Sequence, residues 1–83
     1  MNYQVYILEN PNGKIYIGIS GDVSHRLKQH NAGESRYTKN RGPWNIIWTS
    51  VEMSLSEARR LENKMKRQKG GQGLETLKTA YGS

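Results

Sequence analysis

The chain has no cysteine, no phenylalanine and only two prolines, and its seven acidic residues face thirteen lysines and arginines. The absence of cysteine excludes a disulfide framework, thiolate metal centres and cysteine nucleophiles together, and leaves any metal to oxygen and imidazole donors. No apolar run approaches the ~18–20 residues that a membrane-spanning helix needs, and the N-terminus lacks a basic-then-apolar signal pattern. No membrane partner is expected, and the sequence reads as that of a soluble, cytoplasmic protein. Apolar residues are also scarce: they make up 34% of the chain, with a mean hydropathy of −0.89, against roughly 45–50% in an average domain. That leaves material for one thin core, so residues 1–83 are expected to form a single small domain. At 83 residues, a stability of roughly 0.05–0.15 kcal/mol per residue sums to about 4–12 kcal/mol. A polar side chain turned inward is therefore expensive and raises a question of function.

What the chain has in excess is positive charge. A net +6 and an isoelectric point near 9.8 favour a polyanionic partner, nucleic acid first. Internal repeats and low-complexity segments are absent.

Residues 3–8 and 14–19 alternate apolar and polar with period two around the turn-forming stretch Glu9-Asn10-Pro11-Asn12-Gly13, which predicts a β-hairpin. If paired positions sum to 22, Val5, Ile7, Ile15 and Ile17 share an apolar face, Tyr6 stands opposite Tyr16 and Gln4 opposite Gly18. Ser20-Gly21-Asp22 supplies the cap of a helix from about Val23 to His30, and Asn31-Ala32-Gly33 its stop. Arg26 and His30, four residues apart, leave one side of that helix. Residues 34–43 form a basic loop, and Trp44 to Val51 is a strand rich in β-branched and aromatic residues. Ser54 or Ser56 caps a longer helix to about Lys69. On a helical wheel Leu55, Ala58, Leu61 and Met65 define one narrow core-facing arc, and Glu62 falls inside that arc, between Ala58 and Leu55. Most of its basic residues, Arg59 among them, fall on the solvated side. Gly70, Gly71 and Gly73 break this helix, and Leu74, Leu77 and Tyr81 have the spacing of a short closing helix.

Each candidate has a plain packing reading: tyrosines suit strands, an Arg/His pair decorates a helix, and Glu62 can pair with Arg59 or Lys66. In combination they match phosphodiester hydrolysis. A phenol whose pKa is lowered by nearby cations can accept or relay the proton of an attacking water. An arginine fork suits a phosphate whose charge grows toward the transition state. A hard divalent cation needs oxygen ligands and tolerates one carboxylate, here Glu62, because water and phosphate complete its shell. A histidine near the leaving oxygen, here His30, can shuttle a proton or orient substrate.

Gln4-Val5-Tyr6, Tyr16-Ile17-Gly18, Arg26-Leu27-Lys28-Gln29-His30-Asn31 and Glu62 within a basic helix resemble, in order and spacing, the motif series of the GIY-YIG nuclease superfamily over residues 3–69. Residues 70–83 form a C-terminal extension. Arg36-Tyr37-Thr38 and Arg41-Gly42-Pro43-Trp44 are similar to the small stand-alone bacterial members and to the structure-specific and UvrC-type incision nucleases. The resemblance implies an α+β (α/β) fold with a three-stranded antiparallel sheet flanked by helices. It implies catalytic roles for Tyr6, Tyr16, Arg26, His30 and Glu62, with Gly18 as a motif glycine and Glu62 holding a single Mg²⁺ or Mn²⁺. The expected reaction is metal-dependent endonucleolytic hydrolysis of branched or distorted DNA in repair or recombination, with Arg36, Lys39, Arg41 and Lys66 on nucleic acid. Where the family name has glycine and isoleucine before the first tyrosine, this chain has Gln4 and Val5. Alternatives are a nucleic-acid-binding module that does not cut, or a basic adaptor docked on an acidic protein. A domain with a radius of gyration of about 12 Å touches few phosphates, so a protein partner or a homodimer is a further expectation.

Overall fold

The computed structural model describes residues 2–68 and 72–82, with elements β1 (Gln4–Glu9), β2 (Ile15–Ser20), α1 (Val23–Asn31), β3 (Asn45–Thr49), α2 (Leu55–Gln68) and α3 (Gln72–Tyr81). The expected end of the long helix at Lys69 and the breakers Gly70 and Gly71 lie outside the described residues. Gly73 does not act as a breaker but lies inside α3. One antiparallel sheet in the order β2-β1-β3 places the first strand at its centre, as the α+β expectation requires. The radius of gyration is 12.1 Å. Among the described residues no helix is long and apolar enough to cross a membrane.

The hairpin keeps the expected faces but not the expected register. Paired positions are Val5 with Ile19, Tyr6 with Gly18, Ile7 with Ile17, Leu8 with Tyr16 and Glu9 with Ile15. The register is thus two residues from the expected one. Tyr6 and Tyr16 are diagonal rather than directly opposed, and Gln4 faces Ser20. The cause lies in the turn. The Asn10 carbonyl accepts from Gly13 N at 3.0 Å, and its side-chain oxygen accepts from Asn12 N at 3.1 Å and Lys14 N at 2.9 Å. Gly13 takes the left-handed conformation, φ 80°, that such a three-residue loop requires. Asn10 therefore closes a loop of Pro11-Asn12-Gly13 and moves the pairing outward. A shift of two preserves the alternation, so the apolar face survives.

Val5, Ile7 and Ile17 on that face pack against Ala58, Leu61, Met65 and Leu74 of α2 and α3. Ser54 caps α2, accepting from Glu57 N at 3.3 Å while its hydroxyl donates to Glu57 Oε1 at 3.1 Å. The buried stripe is centred on Ala58, Leu61 and Met65, whereas Leu55, expected within it, is 36% exposed. Leu55 and Glu62 instead form the flank of the stripe, where core gives way to solvent. The helix α3 is tied to β3 by Trp48 Nε1 to Lys78 O at 3.2 Å, and to the segment just after that strand by Val51 N to Tyr81 O at 2.8 Å. On the opposite face Tyr6 and Leu8 pack with Val23 and Trp44, and Tyr16 and Leu27 cover them. Trp44, expected inside β3, precedes the strand and serves as a buried anchor. Asp22 caps α1 by accepting from His25 N at 3.1 Å, and Gly33, φ 79°, follows its end.

Candidate active site

Gly18 determines where the first tyrosine goes. A Cβ at that position would stand 2.6 Å from the Tyr6 hydroxyl, 2.7 Å from Tyr6 Cζ and 3.0 Å from Tyr16 Cε2. The bare glycine thus lets the Tyr6 phenol cross the neighbouring strand, where it meets Tyr16 with ring centroids 6.2 Å apart. Gly18 is a packing requirement of the tyrosine pair.

A cavity of about 320 Å³ opens over this crossing and joins elements far apart in the chain. Tyr6, Tyr16 and Gly18 come from the hairpin, Arg26 from α1, and Leu55, Arg59 and Glu62 from α2. Because α2 packs on β2, the edge strand, its polar flank reaches round that edge and brings Glu62 to the same cleft as Arg26. Glu62 is half-buried and ion-paired with Lys66 at 3.1 Å. Four expected site residues, Tyr6, Tyr16, Arg26 and Glu62, are therefore brought together. Arg59, which wheel geometry assigned to the solvated side, lines the cleft as well. Its signal was its spacing, one helical turn before Glu62.

His30 is placed differently from the expectation. It is 2% exposed. Its Nε2 lies 2.9 Å from the Tyr6 hydroxyl and its Nδ1 lies 2.7 Å from Thr38 Oγ1. Both ring nitrogens of His30 are engaged inside the fold, by Tyr6 and Thr38, rather than held at the expected place of a leaving oxygen, although the residue also borders a cavity of about 360 Å³ with Arg26 and Tyr16. Burial and the nearby Arg26 charge hold its pKa below the ordinary histidine value, which keeps the ring neutral. Thr38, named in the sequence only as part of a loop motif, is its buried second partner.

The expectation that cations lower the tyrosine pKa is reversed for Tyr6. Burial, followed by the neighbouring Tyr16, pushes its phenol up to about 12, and the opposing pull of Arg26 does not compensate. Desolvation of a phenolate outweighs one partly solvated guanidinium. Tyr6 therefore carries its proton at neutral pH. Tyr16, only half-buried, borders the cleft and two adjoining cavities.

The expected nucleic-acid contacts lie around these cavities. Arg41 and Lys66 border one of about 630 Å³ with Lys14, Tyr37 and Trp44. Arg36 borders another of about 360 Å³ with Arg26 and Tyr16. Lys39 stands apart from them, exposed beside Gly33. As to a metal, no three His, Asp or Glu side chains converge among the described residues. The donor set is the single carboxylate of Glu62, which fits a hard divalent ion that retains waters and accepts substrate phosphate oxygens.

A small antiparallel sheet whose cleft presents Tyr6, Tyr16, Arg26, Arg59 and Glu62 over a bare glycine is the arrangement that the motif series leads one to expect of a nuclease-superfamily domain. Residues 2–75 match the family model described as the GIY-YIG catalytic domain, and the chain belongs to that family, a nuclease superfamily. It is 42% identical over 67 residues to UPF0213 protein BH0048 of Halalkalibacterium halodurans, covering 80% of this chain and 71% of that protein. With a UPF0213 protein of Nitratidesulfovibrio vulgaris it shares 35% identity over 79 residues, 94% of this chain and 72% of the relative. A solution NMR structure of BH0048 from Bacillus halodurans covers 81% of this chain and 72% of its own, at 40% identity and a TM-score of 0.49.

Proposed function

We propose that this protein is an endonuclease that hydrolyses phosphodiester bonds in branched or distorted DNA with the help of one Mg²⁺ or Mn²⁺ ion. The observation that carries this reading is the convergence of Tyr6, Tyr16, Arg26, Arg59 and Glu62 on one cleft from four elements, β1, β2, α1 and α2. Hydrolysis adds a water oxygen to phosphorus, breaks one P–O ester bond and delivers the proton of the water to the departing oxygen. Arg26 and Arg59 bind the phosphate and meet the charge that gathers on its oxygens. Glu62 holds the divalent ion, which when bound supplies Lewis-acid stabilisation of that same charge. Lys66, itself half exposed, has to leave Glu62 first, and a helical pair four residues apart, worth on the order of 0.5 kcal/mol, is a small obstacle. Tyr6 keeps its proton and acts as a hydroxyl, whereas Tyr16, accessible from the cleft, is placed to meet the attacking water. Arg36, Lys39 and Arg41, in the loop between α1 and β3, and Lys66 on α2 extend the positive surface beyond the cleft, and a protein partner or a second copy supplies specificity beyond the reach of a body this size.

The test is cleavage of end-labelled four-way junction, flap, duplex and single-stranded DNA with Mg²⁺, Mn²⁺ or EDTA, with Glu62→Gln alongside. Metal-dependent cutting by the wild type, abolished in Glu62→Gln while DNA binding persists, is the expected result; equal cutting by the variant overturns the assignment of Glu62. The Glu62–Lys66 pair at 3.1 Å favours a second reading, a module that binds nucleic acid and does not cut. That reading predicts junction binding without product under every metal condition.

A further inference from the structure

The cleft is backed by a short run of buried hydrogen bonds that the chemistry above does not use. Thr38, His30 and Tyr6 are 1%, 2% and 1% exposed, and the links from Thr38 Oγ1 to His30 Nδ1 and from His30 Nε2 to the Tyr6 hydroxyl are 2.7 and 2.9 Å. We infer that Thr38 sets the direction of this run: its hydroxyl donates to His30 Nδ1, so that His30 carries its proton on Nε2 and donates to the phenol oxygen of Tyr6.

The argument is a count of protons. A neutral imidazole has one N–H and one bare nitrogen, and each hydroxyl has one O–H. In the reverse direction Tyr6 donates to Nε2 and Nδ1–H donates to Thr38 Oγ1. The Thr38 proton is then left over. The side-chain oxygen of Thr38 has His30 as its sole hydrogen-bond partner among the described residues, and the side chain is closed off from solvent. A buried hydroxyl proton with no acceptor is a defect that folds avoid. In the forward direction the proton left over belongs to Tyr6, which is as little exposed as Thr38 but lines the cleft, whereas Thr38 borders none of the cavities described above, so that proton faces a space that water or a ligand can enter. A doubly protonated ring is no remedy: it strands the Thr38 proton in the same way and faces the positive charge of Arg26. The backbone keeps Thr38 at this task, since its carbonyl accepts from Trp44 Nε1 at 3.1 Å and from Arg41 N at 3.2 Å.

Thr38 is thus a positioning residue. It acts through His30 to turn the Tyr6 hydroxyl proton into the cleft, toward a water or a phosphate oxygen. That last consequence rests on the nuclease reading, while the direction of the run does not.

The test is ¹⁵N-edited NMR of the imidazole nitrogens in the labelled full chain near pH 7, without DNA or metal, on a His25→Gln background so that a single histidine is read. The expected spectrum has the proton on Nε2 and a hydrogen-bonded, unprotonated Nδ1. Thr38→Val should move the Nδ1 resonance toward that of a free nitrogen, and Thr38→Ser should restore it. A proton on Nδ1, or an Nδ1 resonance unmoved by Thr38→Val, overturns the inference. If the valine variant does not fold, the parent spectrum alone decides. Where the wild type cuts DNA, Thr38→Val should lower kcat about tenfold, the size of one lost hydrogen bond, with DNA affinity unchanged and serine retaining the rate. Absence of cutting by the wild type counts against the nuclease reading and leaves the tautomer result standing.

Discussion

The two faces of β1 are buried to the same degree by opposite means. On one, Val5 and Ile7 pack against Ala58, Leu61 and Met65, side chains with no hydrogen bond to satisfy. On the other, Tyr6 is equally hidden but spends its hydroxyl on His30, which in turn needs Thr38. The first face tolerates apolar side chains of similar volume, since its stabilisation follows apolar area. The second has a fixed set of partners, and each loss leaves a buried group without a mate. One face provides the stability that the other uses to hold a site.

Four substitutions or conditions break or sharpen this contrast. Met65→Ala, at a position that is fully buried, should cost about 2–5 kcal/mol in chemical denaturation, a large part of what a chain this size holds, while leaving the arrangement of the cleft unchanged. Gly18→Ala strikes the other face: a methyl 2.6 Å from the Tyr6 hydroxyl should cost about 1–3 kcal/mol and displace the phenol, so activity falls further than stability does. The third is pH. Because the Tyr6 pKa is raised to about 12, the unfolded chain loses this proton first, and up to roughly 2 kcal/mol of stability should disappear as pH rises from about 10 to 12. His30 has a lowered pKa, so its contribution is present above the unfolded histidine value of about 6.5 and is lost as pH falls below it. Stability should therefore be greatest between these limits, and urea midpoints across pH would show it. Tyr6→Phe has the smallest expected effect on stability, about 1 kcal/mol for one hydrogen bond. It should remove the alkaline fall assigned to Tyr6 and lower the cutting rate. Full activity in both Tyr6→Phe and Tyr16→Phe would exclude either phenol from the reaction.

Much of this contrast is legible in the sequence, because strand faces follow from alternation alone. Period two put Val5 and Ile7 on one side of β1 and Tyr6 on the other, and any register with an even sum of paired positions, the expected one or the observed one, brings Ile17 and Tyr16 to the matching sides of β2. Spacing on α2 put Glu62 inside the apolar arc, and the exposure of Leu55 makes that position the border of the stripe. The register itself was not legible, since it depends on Asn10 bonding to Asn12 and Lys14, a choice that a five-residue run of turn formers does not announce. Nor was the depth of His30. Helical spacing from Arg26 shows which way a side chain leaves the helix, but not that residues 34–44 fold back and bury it. Thr38 escaped for the same reason: a threonine in a polar loop looks like any other until tertiary contacts place it beneath a ring. Side chains that act locally can be read from pattern, and those whose partner lies elsewhere in the chain need the fold.

The basic loop between α1 and β3 is fastened at three places. Asn31 holds the Trp44 backbone by N–H and carbonyl at 2.7 and 3.1 Å, Trp44 Nε1 holds the Thr38 carbonyl at 3.1 Å, and Asn10 donates to the Arg41 carbonyl at 3.1 Å. Arg36 and Arg41 thus stand on a segment already ordered by the fold, and the entropy of fixing its backbone, roughly 1–2 kcal/mol per residue, falls on folding rather than on the encounter with an anion. A polyanion meeting this surface docks against a preset spacing of charges. The short loop works as a rigid template, and a ligand has to conform to it.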